Sequence, residues 1–148
     1  MVIEILGLLF SMVLGTVGHF LYSFANRNRI VGFLFSKDES VIEHLKLGIT
    51  PILLWTIVEL FTISSNILFF AKFVSILIFI FSLVVLYYGY KFIFKKNILF
   101  LDILIFYISL TIAYFVSINL LLFNGINILN FIGILGIVGV IICYIIFN

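Results

Sequence analysis

Long apolar runs, broken at a few short polar points, set the pattern of this chain. The first run covers residues 5–25 and ends at Asn26-Arg27-Asn28-Arg29. A second polar stretch, Ser36-Lys37-Asp38-Glu39-Ser40, precedes another run over 42–63. Ser64-Ser65-Asn66 divides that run from the next, 67–90, which stops at Lys91, Lys95 and Lys96. The remaining runs are 98–123 and 128–147, with Asn124-Gly125-Ile126-Asn127 as the turn between them. Each is close to the roughly 20 apolar residues that cross about 30 Å of hydrocarbon. They are too long and continuous for the alternating strands of a barrel. Helices also satisfy their own backbone groups, as lipid demands. The pattern predicts an all-α chain: a single domain over 1–148, built as an integral membrane bundle of five transmembrane helices.

Composition agrees with that reading. Apolar residues make up 66% of the chain and charged residues 9%. A soluble domain carries about half and about a quarter, respectively, so the expected solvent is the lipid bilayer. The net charge of +2 is too small to suggest a nucleic-acid partner. No Lys or Arg precedes the first run and no small-residue cleavage site follows it, so it reads as a retained span rather than a signal peptide.

The placement of Lys and Arg predicts orientation. Arg27, Arg29, Lys37 and Lys46 flank the first connection, and Lys91, Lys95 and Lys96 the third. The second has Lys72 alone and the fourth has none. The first and third connections are therefore expected in the cytoplasm, with the N-terminus outside, the C-terminus inside and the protein in the cytoplasmic membrane. The abundance of Ile, Phe and Asn with little Ala suggests an AT-rich genome. Ser11, Gly15 and Gly18 share a stripe in the first span, and Gly133, Gly136 and Gly139 recur in the fifth. Small residues let helices approach closely in lipid. The stripes read first as contacts within the bundle and second as a homo-oligomer seam. Cys143, the single cysteine, is expected to be buried and inert.

The densest chemistry lies in residues 37–51. Ser40 followed by Glu43 fits a capping box at a helix start, and Pro51 should kink the helix and free the carbonyl of Leu47. His19 falls about 9 Å, and His44 about 6 Å, from the cytoplasmic ends of their spans at 1.5 Å per residue. They should share a depth on adjacent helices. Tyr22 and Asn26 follow His19 at helical spacing. The expected polar pocket sets His19, Tyr22 and Asn26 opposite Glu39, Ser40, Glu43 and His44. Within it, His19, Glu43 and His44 are candidate ligands for a divalent metal. Proton handling is a second option, because His titrates near neutral pH. Structural hydrogen bonding is the leading one.

Three further charges remain. Glu59 lies near the outer end of the second span, where it snorkels to the interface or lines a pathway with Trp55, one turn away. Lys72 is expected to reach headgroups, and Asp102 to cap its helix or pair with Lys95 or Lys96.

Gly18-His19-Phe20-Leu21-Tyr22, Asn28, Glu39-Ser40, Glu43-His44, Lys46-Leu47 and Pro51 resemble a family of small uncharacterised prokaryotic membrane proteins. Its pattern reads approximately H-F-x-Y…N…N-E-S-x-W-E-H-x-K-L…P. Asp38 stands where that pattern has Asn, and Ile42 where it has Trp. The resemblance covers the first two spans and implies fold class and pocket, with no function attached. Membrane hydrolases of the ceramidase type are a looser likeness. They use His, Ser and Asp around an intramembrane zinc, but need a further pair of histidines late in the chain, which this sequence lacks.

Three functional readings follow. An accessory or structural membrane protein, with the polar cluster locking the first two spans together, ranks first. A small transporter or ion-conducting protein, as a homo-oligomer or with another membrane protein, ranks second. A membrane-embedded, metal-dependent enzyme acting on lipid ranks third, with His19 or His44 as base or ligand and Glu39 or Glu43 as acid–base partner. Glycine-rich phosphate loops, C-x-x-C pairs and G-x-S-x-G elbows are missing from the sequence.

Overall fold

The computed structural model describes residues 1–37, 40–96, 98–123 and 125–146. Six helices follow in order: α1 (Val2–Phe24), α2 (Arg29–Leu34), α3 (Val41–Thr62), α4 (Leu68–Phe94), α5 (Leu99–Leu121) and α6 (Asn127–Ile146). Five of them, all but α2, are long and apolar enough to cross a membrane. A helix of 23 residues such as α1 spans about 34 Å, which matches the hydrocarbon layer. Large apolar side chains face outward along every span: Leu9, Val13, Phe61, Phe81, Phe115 and Leu135 are all exposed. Such a surface is compatible with insertion into lipid.

The ends of the helices have local causes. Asn26 and Arg27 take left-handed backbone angles, φ 49° and 58°, and stop α1. Asn28 then caps α2, its side chain accepting from the Ile30 amide at 2.8 Å. Ser40 caps α3 by accepting from the Glu43 amide at 3.3 Å, the bond that the Ser-x-x-Glu spacing predicts. Lys95 closes α4 in the left-handed conformation.

Helix α4 is central, packing against α3, α5 and α6, while α1 packs against α3 and α5. The core between them holds Ile52, Ile76, Phe79, Leu83, Leu110 and Ala113. Two small-residue stripes are used inside the bundle. A Cβ on Gly133 would fall on the Phe69–Phe70 backbone, and one on Gly136 would fall on the Phe73 ring. On α1, Ser11, Gly15 and Gly18 are buried.

Pro51 is accommodated within a continuous α3. The Leu47 carbonyl, relieved of its helical donor by Pro51, lies against Gly15 of α1. Helix α2 tucks under the bundle, where Tyr144 of α6 and Thr50 of α3 meet at 2.9 Å over the Leu34 carbonyl. Cys143 is exposed rather than buried. It sits on α6, which buries only Gly133, beside an apolar gap of about 600 Å³ among α3, α4 and α6.

Candidate functional site

The bundle alternates in direction, so the start of α1, the end of α3, the start of α4 and the end of α5 meet at one face. Glu4, Glu59 and Lys72 lie within about a turn or two of that face, yet they are 1%, 0% and 1% exposed. The Lys72 ammonium donates to Glu4 Oε1 at 2.6 Å and to Glu59 Oε1 at 2.7 Å. Glu59 Oε2 is also 2.7 Å away. Ser117 of α5 donates to Glu4 Oε1 at 2.9 Å. The Tyr114 ring lies 5.0 Å from the ammonium and stabilises it through its π face, while the Tyr114 hydroxyl meets Ser11 at 2.8 Å. One lysine thus joins carboxylates from two other helices, with α5 closing the fourth side.

Among the described residues, neither Glu4 Oε2 nor Glu59 Oε2 accepts a hydrogen bond, and Glu59 Oε2 has only its ion-pair contact with the ammonium. Both belong to buried carboxyls held by the same ammonium. An unsatisfied charged oxygen inside a protein costs more than an ordinary lost hydrogen bond. Helix dipoles do not explain the arrangement either. Glu4 is favoured at the start of α1, but Glu59 sits in the last turn of α3, where a negative charge is disfavoured.

The indole of Trp55 lies against Gly7, donates to the Ile3 carbonyl at 3.1 Å and packs on Phe10. It ties α3 to α1 one turn from Glu59. Neither Glu59 nor Lys72 snorkels. Each finds its counter-charge inside the bundle, which removes the reason for a long side chain to seek the interface.

The opposite face holds the residues that the sequence groups together, and it divides them. His19 and His44 do meet, with ring centroids 5.4 Å apart. They line a cavity of about 290 Å³ with Gly15, Thr16, Asp102 and Phe106. His44 Nδ1 is 2.8 Å from the Ser40 carbonyl. Asp102 accepts a short hydrogen bond from Tyr90 rather than pairing with Lys95 or Lys96, since Tyr90 is buried near the end of α4 and both lysines are exposed.

The other expected members lie elsewhere. Glu43 is one residue from His44, hence about 100° around the helix. It accepts from Lys46 at 2.5 Å and from the Lys37 amide at 2.7 Å. Tyr22 packs on Gly32 of α2. Asn26 lies beyond the end of α1 in an exposed turn, out of helical register with His19. Glu39, like Asp38, falls outside the described residues. Among the described residues, no three His, Cys, Asp or Glu side chains converge where a metal ion fits. Of the three expected ligands, His19 and His44 share one cavity and Glu43 does not line it.

Glu4, Tyr114 and Ser117 are the site residues that a linear reading misses. Glu4 looks like the border of the first span, and a tyrosine and a serine inside an apolar run look like ordinary packing. Depth is the signal that finds Glu4. Counted at 1.5 Å per residue, it lies at nearly the same level as Glu59 and Lys72.

No curated protein and no solved structure matches the chain. A family model does match, over residues 2–148, which is nearly the entire length and includes both clusters. The chain therefore belongs to DUF6512, a family of unknown function.

Proposed function

We propose that this is a multi-pass protein of a prokaryotic cytoplasmic membrane that moves an ion or small solute, with the Glu4–Lys72–Glu59 cluster as its binding site. In this reading the N-terminus lies outside, so the cluster faces the outer leaflet and the His19/His44/Asp102 cavity faces the cytoplasm. The carrying observation is that two buried carboxyls share a single ammonium and that one oxygen of each accepts no hydrogen bond. Ionisable groups within a membrane are expensive and tend to mark ion and proton pathways. A buried ion pair is also weak as a pure stabiliser, since apolar residues of similar volume do as well or better. Five helices enclose little lumen, so a homo-oligomer or a second membrane protein fits this reading as partner.

The accessory or structural reading has one observation in its favour: the cluster ties four helices at a single face. Reconstitution into liposomes separates the two. A flux of protons or small cations above empty vesicles, lost in Glu59→Gln at equal folded abundance, is expected for transport. Absence of flux from the wild type, or flux unchanged in the variant, returns the cluster to a structural role.

A further inference from the structure

We propose that Glu4 and Glu59 hold one proton between them, so that the cluster is a protonatable centre rather than a site for a metal cation. The inference deepens the transport reading and rests on it for its purpose, although the proton itself follows from geometry alone. With both carboxyls ionised, two negative charges face the one positive charge of Lys72, leaving a net charge of −1 in an apolar interior. The transfer of one proton from water to either carboxylate makes the centre neutral. The same proton, placed between the two carboxyls, gives a hydrogen bond to the two oxygens that otherwise accept none. Their other oxygens, both Oε1, are already engaged by Lys72, and that of Glu4 also by Ser117.

A metal cation fits poorly. Hard cations gather about six oxygen ligands, whereas two carboxyls are present here and an ammonium already stands where a cation would. The remaining groups that face the cluster come from α5: Tyr114, through its ring, and Ser117. The only titratable residues of α6 are Cys143 and Tyr144, near its far end. Among the described residues, the other titratable group at this face is the Met1 amino group, on an exposed residue.

Infrared spectroscopy of the full-length protein in nanodiscs tests this directly and needs no transport activity. The wild type at neutral pH should show the carbonyl stretch of one protonated carboxylic acid, shifting in D₂O. Either Glu4→Gln or Glu59→Gln should abolish the band, because the remaining carboxylate then pairs with Lys72 as an ion. Lys72→Met should double it, since both carboxyls must then be neutral. If one Gln variant fails to fold, the other variant and Lys72→Met still decide. A wild type without the band, a band that survives both Gln substitutions, or a band erased by sodium at constant pH would each overturn the proposal, the last in favour of a metal cation. If the band behaves as expected and liposomes show no flux, the proton site stands and the transport reading falls.

Discussion

Replacing Lys72 by methionine removes the one positive charge from a cluster whose carboxyls are buried at 1% and 0% exposure. The side chains are similar in length, so the cavity term is small and the cost is electrostatic. Breaking a buried pair by deleting one partner costs about 3–5 kcal/mol. A second route gives a similar size. The stranded carboxylate escapes by binding a proton, and from a reference near 4.3 that costs about 4 kcal/mol at pH 7, at 1.36 kcal/mol per unit. The two routes agree, so Lys72→Met should lose about 4 kcal/mol. Adding Glu4→Gln and Glu59→Gln removes the charges that caused the loss, and the triple variant should recover most of it.

Reversible unfolding in mixed micelles measures this. The fluorescence of Trp55, the sole tryptophan, is a suitable probe because its indole bridges α3 and α1 beside the cluster. A Lys72→Met protein within about 1 kcal/mol of wild type would refute the reasoning, since a cost that small is typical of exposed pairs. A triple variant no more stable than the single one would refute it too, because it would show that packing rather than charge was lost.

Two other outcomes follow from the fold. Gly133→Val drives a side chain onto the Phe69–Phe70 backbone and should cost about 1–3 kcal/mol by overpacking, whereas Gly139→Ala enters open space and should stay within about 0.5 kcal/mol; thermal unfolding of the pair checks both. A reporter fused after residue 148 should be active only on the cytoplasmic side, and activity on the outer side would reverse the proposed orientation.

The spans were legible because hydropathy is a property of each segment taken alone. The short helix α2 was not, since six residues containing Gly32 between two charged stretches carry no periodic signal. The meeting of His19 with His44 was legible because a single connection joins their helices and fixes a common depth. The dispersal of Tyr22, Asn26 and Glu43 was hidden because it depends on where α1 stops and how α3 is rotated. The Glu4–Lys72–Glu59 cluster was harder still. Glu4, Glu59 and Lys72 lie far apart along the chain, and each alone resembles a boundary or snorkelling residue. Only the packing of α1, α3 and α4 around a common point turns three ordinary edge charges into one buried centre.

Helix α6 packs on α4 and buries a single residue, Gly133, and it supplies none of the groups that hold Lys72. Among the described residues, the contacts of the charged centre come from α1, α3, α4 and α5. During synthesis those helices emerge first. The lysine and both carboxyls can meet as soon as α1, α3, α4 and α5 are in place, so assembly of the charged centre does not depend on α6.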